Sequence, residues 1–385
     1  SATEENFYEY ATNWSFSPGE VMTFFIPSFY GYGNSTYTGE LTQGSPVEVN
    51  TYFGQMPFTD VANYMGTIVF LLALAGFWLR RKESFVQFMA LTIVLFLIIS
   101  FGKNFPFLYD IFFKYVPFFD KFRAPVMILN IVQIFFPILA GLGLARFVEL
   151  SAQKSDGIIK ILKYSLITFA ALLFLSLLAG GMLENWFRER ITDAGENYKH
   201  LNPLHPYMTE MFMRVLRFAL LLGLVLSSMI YAMMLKKTKS ALVISALILF
   251  SLIDLWLIDY RGLHFKEMQD LPRMYAKPGY VEFVQKDKSE PFRILNLKQN
   301  GSLGSLNNHA NFHVYFKVED LYGYSALKPR GFQDFADVVG LANPALWNIL
   351  NVKYLILEKP VEYAGLKPVY QDNSSAVMLN TNAKG

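Results

Sequence analysis

Basic side chains stand at the ends of several apolar runs, where they could hold a phosphate group. Arg214 and Arg217 open one run three residues apart, a spacing that places both on one face of a helix. Lys121 and Arg123 precede another run, in FFDKFRAPVM. Guanidinium groups grip phosphates through paired, charge-assisted hydrogen bonds, so Arg123, Arg214 and Arg217 are candidates for binding a lipid phosphate. The alternative is snorkelling beside membrane lipids, which arginines do near helix ends.

Two carboxyl groups are candidates for a polar site. Asp254 lies inside an apolar run, in SLIDLWLIDY. A charge within a membrane segment is costly and therefore indicates a function, although a structural hydrogen bond between helices is the alternative. Glu20 follows Ser17-Pro18-Gly19, where a helix could begin. Because a helix N-terminus favours negative charge, Glu20 could equally be a cap.

The segment around Glu20 is dense in aromatic residues, glycine and proline. Trp14 and Tyr30 present flat faces that could stack on sugar rings, and Phe29 and Tyr32 lie close by in the sequence. The same side chains could instead pack the segment onto the membrane surface, where aromatic residues are common. Sugar stacking by Trp14 and Tyr30 is therefore one of two open interpretations.

The sequence also excludes several kinds of site. It contains no cysteine, which excludes disulfides, thiolate nucleophiles and cysteine-ligated metals. His309 and His313 stand four apart, but the surrounding NNHANFHVYF indicates a loop entering a strand, so we predict no metal site. The net charge of +3 is too small and too dispersed to suggest a nucleic-acid partner. Known nucleotide-binding, hydrolase and zinc-protease motifs do not occur in the sequence, and the catalytic residue is therefore unknown.

Long apolar runs must position these side chains. Apolar residues make up 53% of the chain and charged residues only 17%, below the roughly 25% of soluble domains. A run of roughly 18 or more such residues can cross a hydrocarbon core as a helix, which satisfies its own backbone hydrogen bonds. The sequence therefore predicts a polytopic α-helical membrane protein with about six transmembrane helices. The predicted helices are 62–79, 84–101, 125–147, 158–181, 212–235 and 241–258.

Short basic loops predict the orientation of this bundle. Loops rich in lysine and arginine connect the runs at 80–82, 146–163 and 236–239. All three fall on one side, and short basic loops stay in the cytoplasm. The opposite, extracytoplasmic side then receives residues 1–61, 102–124, 182–211 and 260–385. Segment 105–119 is apolar but interrupted by proline and charge, so we expect it to lie at the outer interface.

The N-terminal segment poses a problem for this topology. Residues 1–61 are expected outside, yet no apolar signal-peptide region precedes them. A polar tail of this length does not usually cross a membrane unaided, so we expect the chain to be a fragment that further helices once preceded. The alternative is an unusual protein whose N-terminus lies outside.

Residues 260–385 are predicted to form a small soluble α+β domain. Segments rich in valine, isoleucine, tyrosine and phenylalanine predict strands at 291–297, 312–318, 352–358 and 376–380. Helices are predicted at 278–287 and 330–340. With roughly 125 residues, the domain is large enough to hold its own core.

Several motifs occur in a fixed order along almost the whole chain. They are NWSFSPGEVMTFFIPSFYG (13–31), GQMPFTDVANYMG (54–66), FFDKFRAPVMIL (118–129), LIDLW (252–256), YGYSALKPRGFQDF (322–335) and LWNILNVKYLILE (346–358). In order and spacing, they resemble the bacterial YfhO family of membrane proteins. The similar family features are its luminal segment, an outer-face Phe-Arg-x-Pro stretch, an Asp-bearing last helix and the tail.

This resemblance implies a GT-C-type polytopic glycosyltransferase of the bacterial cytoplasmic membrane. Such enzymes use a polyprenyl-phosphate sugar as donor and act on the outer face, here toward an envelope glycan or protein acceptor, without a further cofactor. Their catalytic carboxylate lies in a first outer loop, which we expect to precede this chain in the complete protein. By position in the motifs, Arg123 would contact the carrier phosphate, with Glu20 and Asp254 as further candidates.

Two other functions compete with the transferase. A non-catalytic membrane subunit of an envelope or secretion assembly could dock a partner protein through its soluble tail, and the absence of a complete catalytic set favours this alternative. The third hypothesis is a transporter. It is disfavoured because the membrane runs contain few charges and the sequence shows no inverted repeat. Membrane lipids are partners in all three cases.

Overall fold

Two units make up the computed structural model of the chain, residues 2–264 and residues 265–385. The structure describes residues 4–153, 155–263, 276–289, 291–298, 311–323, 325, 329–340 and 343–383. Helices dominate the first unit, and a four-stranded sheet lies in the second. The sequence prediction placed the division at residue 260.

The helices of the first unit follow the apolar runs. They are α1 (Glu4–Thr12), α2 (Thr67–Arg80), α3 (Ser84–Ser100), α4 (Pro106–Tyr115), α5 (Leu129–Gln153), α6 (Asp156–Leu178), α7 (Gly180–Asp193), α8 (His205–Met234) and α9 (Ser240–Asp259). Among the described residues, four helices are long and apolar enough to cross a membrane by length and composition. They are α5 with its preceding turn, α6, α8 with its preceding turn, and α9.

The predicted count of six spanning helices is therefore not supported. The run 62–79 forms a helix only from Thr67, and α2 has 14 residues. At about 1.5 Å per residue, such a helix is shorter than a hydrocarbon core of about 30 Å. Gly66, immediately before α2, has a φ of 83°, a left-handed backbone conformation that lies outside the α-helix. The helix therefore begins at Thr67 and does not include the residues before Gly66. The run 84–101 forms α3, which has 17 residues.

Two other runs have different ends from those predicted. The run 158–181 stops at Leu178, and α7 begins at Gly180. The run 212–235 lies within α8, which begins earlier, at His205. The predicted interfacial segment 105–119 contains α4. Apolar composition located these helices, but their polar first and last turns lay outside the runs.

Helices α2 and α5 approach each other closely through two glycines. A Cβ atom on Gly76 would lie 2.1 Å from the carbonyl oxygen of Leu139, and one on Gly143 would lie 2.5 Å from that of Leu72. Real Cβ atoms do not approach backbone this closely, so the crossing requires glycine at both positions. Small residues that bring backbones together are a common packing device in membrane helices.

The segment between α1 and α2 folds over the end of this bundle. It contains an antiparallel hairpin of β1 (Asn34–Tyr37) and β2 (Val47–Asn50), in which Asn34 pairs with Asn50. Its apolar side chains share a core with α7 and α8. At the centre of that core, the rings of Phe187 and Phe212 stack with centroids 4.2 Å apart.

The second unit is built on a mixed sheet in the order β3–β4–β6–β5. Its strands are β3 (Arg293–Asn296), β4 (Val352–Leu357), β5 (Leu366–Gln371) and β6 (Ala376–Asn380). Strand β3 runs parallel to β4, and the other pairs are antiparallel. The helices of this unit are α10 (Gly279–Lys286), α11 (Phe312–Tyr315), α12 (Arg330–Val339) and α13 (Pro344–Ile349).

The strand predicted at 312–318 is wrong. Its first residues form α11, and Lys317 then takes a left-handed φ of 57°, outside the range of a regular strand. His313 is the buried side chain of this turn, whereas a strand with one buried face would bury every second apolar side chain. Strand β5 escaped prediction because Pro368 interrupts a mostly exposed sequence.

Candidate functional site

Glu20 is held by the turn in which its sequence places it. Ser17 is the N-cap of a short 3₁₀ helix, Pro18–Phe24. The Ser17 hydroxyl accepts a hydrogen bond from the Glu20 amide at 3.3 Å, and the Ser17 amide donates to the Glu20 carboxylate at 2.9 Å. This reciprocal pair is a capping box, so the cap interpretation of Glu20 is correct for one of its two oxygens.

The other carboxylate oxygen of Glu20 is engaged by a tyrosine. The Tyr52 hydroxyl donates to it at 2.5 Å and itself accepts from the amide of Met56 at 2.8 Å. Glu20 is 1% exposed, and this burial raises its pKa, which the hydrogen bonds from Tyr52 and Ser17 offset only in part. Sequence reasoning missed Tyr52, because it lies 32 residues from Glu20.

Arg190 lies among four aromatic rings. Its Cζ atom is 4.2 Å from the centroid of Phe29, 4.6 Å from Tyr30, 5.0 Å from Trp186 and 5.7 Å from Phe53. We call these four rings the aromatic cage. The guanidinium also donates to the Phe29 carbonyl at 2.9 Å. Burial lowers the pKa of Arg190, and attraction to the ring faces compensates for part of the lost hydration.

Sequence reasoning missed Arg190, although one signal was present. Trp186 and Arg190 are four residues apart in α7, which places them on one face of the helix. The other three rings of the cage come from the segment before α2. No local pattern connects that segment to α7, so the full cage depends on tertiary structure.

The two predicted sugar-stacking residues have different surroundings. Tyr30 belongs to the aromatic cage, and its hydroxyl lies against Gly19, where a Cβ atom would be 2.4 Å away. Tyr30 therefore connects the turn of Glu20 to Arg190. Trp14 instead meets Phe58 edge to face, with ring centroids 5.5 Å apart. The structure thus brings Tyr30, but not Trp14, into the cage.

The three predicted phosphate-binding arginines have separate partners. Arg123 lies over the ring of Tyr10, 5.1 Å from its centroid, and hydrogen-bonds to the Tyr10 hydroxyl. Arg214 forms an exposed ion pair with Glu210 at 2.5 Å. Arg217 donates to the Ser176 carbonyl at 3.1 Å, while its Nε is buried without a hydrogen-bond partner in the described part of the chain.

Asp254 binds the start of another helix. One of its oxygens accepts from the Tyr64 hydroxyl at 2.7 Å, and the other accepts from the backbone amide of Thr67 at 2.8 Å. The residue is 1% exposed. Its contacts are those of the structural alternative, a hydrogen bond between helices.

Metal binding finds no support in the described residues, where no group of three or more histidine and acidic side chains is placed to hold an ion. His313 is buried and hydrogen-bonds to the Tyr280 hydroxyl at 2.9 Å and to the Asp320 carboxylate at 2.7 Å. Its predicted neighbour His309 lies outside the described residues. The candidate site therefore consists of Glu20, Tyr30 and Arg190 with the aromatic cage.

Comparison with known proteins adds no further assignment. No family model, curated protein or solved structure matches the chain. Any functional conclusion rests on the geometry of the chain itself.

Proposed function

We propose that this chain is part of a GT-C-type membrane glycosyltransferase of the bacterial cytoplasmic membrane. It would transfer a sugar from a polyprenyl-phosphate carrier to an envelope glycan or protein at the outer face. The observation that carries the proposal is Arg190 within the aromatic cage, in a segment that packs on helices long enough to cross a membrane. The YfhO-like motifs point to the same class.

The reaction needs the two kinds of group that this site contains. The acceptor hydroxyl attacks the anomeric carbon, and the bond from that carbon to the phosphate oxygen breaks. The carrier phosphate leaves with the electron pair and takes up the proton of the hydroxyl. A guanidinium stabilises the negative charge that develops on the phosphate. Arg190 uses only part of its five N–H donors on the Phe29 carbonyl, which leaves donors for a phosphate. Trp186, which is 42% exposed, offers a flat apolar surface to a sugar ring.

Glu20 is a positioning residue in this proposal. Its carboxyl is enclosed by Ser17 and Tyr52, so it does not reach a substrate. The capping box instead fixes the turn at Gly19, against which the Tyr30 hydroxyl lies. Through Tyr30, the turn holds one side of the aromatic cage.

The test is transfer of radiolabelled sugar from a polyprenyl-phosphate donor by the complete protein that contains this chain, in lipid nanodiscs, with envelope extract as acceptor. We expect Arg190→Gln to lower the transfer rate at least tenfold. Arg188→Gln, an exposed neighbour on the same helix, should leave the rate unchanged. Arg123→Ala tests whether Arg123 contacts the carrier phosphate, as the family-like motif suggests. Absence of transfer by the unaltered complete protein, or equal rates for the two glutamine variants, would contradict the proposal.

One observation favours a second function, that of a non-catalytic membrane subunit. Both oxygens of Glu20 and of Asp254 accept hydrogen bonds from protein groups, and both residues are buried. A carboxylate occupied in this way serves stability rather than proton transfer. A protein of this class would show no transfer in the experiment above and would purify from its own membrane in a fixed ratio with a partner protein.

A further inference from the structure

A cleft in the second unit joins segments that are far apart in sequence. Its lining residues come from α10, from the segments that flank this helix, and from the turn that follows α11. Its volume of about 720 Å³ lies within the range of about 300–1,000 Å³ that is typical of small-molecule sites. Every lining residue belongs to the second unit.

Lysines give this cleft its charge, and we call it the lysine cleft. Of the residues that the structure describes, four lysines line it, and none of their ammonium groups has an ion pair or hydrogen bond with another described residue: Lys277, Lys286, Lys288 and Lys317. The described acids of the lining are Glu282, Asp287 and Glu319. Asp287 pairs with Lys353 at 2.6 Å, and Glu319 lies 3.9 Å from Arg293. Because these two partners are outside the lining, they neutralise two acids and leave an excess of positive charge in the cleft.

Lys317 holds a backbone conformation that favours glycine. Its amide donates to the Val314 carbonyl at 3.0 Å, and the Val318 amide donates to the His313 carbonyl at 3.1 Å. These two hydrogen bonds form a Schellman motif at the end of α11, with Lys317 at the left-handed position and a φ of 57°. Strained residues of this kind are often found at ligand-binding sites. Glycine at this position would remove the ammonium group and relieve the backbone strain at the same time.

The other groups of the cleft suit a ligand that also carries hydroxyl groups. The Gln285 side-chain amide donates to the Phe316 carbonyl at 2.6 Å, which leaves its oxygen as an acceptor, and Glu282 is a second acceptor. The rings of Phe292 and Phe316 are half-buried in the lining and offer apolar surface to a sugar ring. Because carboxylates also line the cleft, a polymer with closely spaced negative charges, such as a nucleic acid, would be repelled.

We infer that the lysine cleft binds an acidic oligosaccharide whose carboxylates are separated by neutral sugars. Lysine ammonium groups are point charges on flexible stems, so they can pair with carboxylates at several places along a sugar chain. The acceptors and rings of the cleft then bind the hydroxyl groups and the apolar faces of the same chain. This site is separate from the aromatic cage, and the inference does not rest on glycosyl transfer.

The experiment measures equilibrium binding to the purified full chain in neutral detergent by fluorescence anisotropy. The probe is a labelled hexasaccharide of alternating glucuronate and N-acetylglucosamine, which carries a carboxylate on every second sugar. A hexasaccharide of N-acetylglucosamine alone is the neutral reference, and a thymidine hexanucleotide is the densely charged one. We expect the acidic hexasaccharide to bind most tightly of the three. Lys317→Gly should weaken its binding about fivefold, as the loss of one exposed ion pair implies, and Lys288→Gln in the same chain should weaken it further.

Lys236→Gly is the matched control. Lys236 follows α8 with a φ of 56°, its amide donates to the Met233 carbonyl at 2.9 Å, and the Lys237 amide donates to the Ala232 carbonyl at 3.0 Å. The same motif therefore contains a lysine at the same position, but in the first unit and outside the cleft. Its replacement should leave binding unchanged. Since glycine favours this conformation, both variants should be at least as stable to heat as the unaltered chain, so weaker binding by the Lys317 variant would not reflect unfolding.

Three results would overturn the inference. The first is failure of the unaltered chain to bind the acidic hexasaccharide. The second is equal affinity of the two glycine variants for it. The third is binding of the neutral hexasaccharide or of the hexanucleotide at least as tightly as the acidic hexasaccharide, which would assign the cleft to a different class of ligand.

Discussion

The carboxylate of Asp254 accepts a hydrogen bond from the backbone amide of Thr67 at 2.8 Å, across 187 residues of sequence. Thr67 is the first residue of α2, and the first amides of a helix have no acceptor within the helix. The residue that precedes it, Gly66, has no side chain to provide one. Asp254 therefore acts as the N-cap of a helix to which it does not belong, and this contact accounts for a carboxylate in an apolar run.

Replacement of Asp254 should destabilise the chain through this cap. We expect Asp254→Ala to lower the free energy of unfolding by about 1–2 kcal/mol, because the Thr67 amide and the Tyr64 hydroxyl lose their acceptor. Titration with sodium dodecyl sulfate in mixed micelles measures the change. Asp259→Ala is the control, since Asp259 is exposed at the end of the same helix. Equal effects of the two substitutions would argue against the cap.

The close crossing of α2 and α5 predicts which glycine-to-alanine substitutions lower stability. Gly76→Ala and Gly143→Ala each place a methyl group against backbone that cannot move aside. We expect each to lower the free energy of unfolding by about 1–3 kcal/mol through overpacking. Gly141→Ala, also on α5, meets no atom within 4 Å and should be neutral or stabilising, because alanine favours helices. The same micelle titration compares the three variants, and a Gly76→Ala chain as stable as Gly141→Ala would refute the close crossing.

Glu20 should make the stability of the chain depend on pH in one direction. Burial raises its pKa above the ordinary 4.5, so the folded chain binds this proton more tightly than the unfolded chain. The free energy of unfolding should then fall as pH rises above 4.5, and level off once Glu20 is ionised in the folded state. Thermal unfolding across this range measures the slope. Glu20→Gln should flatten it relative to the exposed control Glu40→Gln, and parallel curves would contradict the assignment.

Asp287 in the second unit should act in the opposite direction. Its carboxylate accepts from Lys353 at 2.6 Å and from the Tyr354 hydroxyl at 2.7 Å, and the hydrogen bond from Lys353 is the main reason that its pKa is lowered. A lowered pKa contributes stability above the ordinary value of 3.8, and this stability is lost as pH falls toward the pKa of the folded state.

Amide hydrogen exchange of the β4 peptide in the full chain reports on this second contribution. Asp287→Asn should speed exchange at neutral pH and reduce the change between neutral and acidic pH. Glu362→Gln, an exposed acid of the same unit, serves as the control. Equal protection of β4 in the two variants would show that the Asp287–Lys353 pair does not stabilise the sheet.

Apolar composition predicted where the helices lie but not where they begin and end. The run from residue 62 suggested a spanning helix, yet its first five residues are not helical because Tyr64 and Gly66 shape the approach to Thr67. The end of α6 at Leu178 likewise depends on a turn that apolar composition does not reveal. The start of α2 depends on a hydrogen bond to Asp254, far away in sequence, which a window of neighbours does not contain.

The residues of the candidate site also fall into two groups, those with local partners and those whose partners are distant in sequence. The capping box of Ser17 and Glu20 is local, and the spacing of the two residues predicted it. Tyr52 and Arg190 were missed because their partners lie 32 and 161 residues away. The prediction for Arg123, Arg214 and Arg217 did not include the separate protein groups that each side chain contacts, since those contacts depend on tertiary structure.

The contact between Asp254 and Thr67 also has a consequence for biosynthesis. At about 5–20 residues per second, roughly 10–40 s separate the emergence of these two residues from the ribosome. During that interval the Thr67 amide at the start of α2 lacks its acceptor, Asp254. The translocation machinery or a chaperone must then hold the uncapped helix. Among the described apolar helices of the first unit, α9 is made last and completes α2, so a transcript cut short before residue 240 yields a protein that lacks this closure from the start.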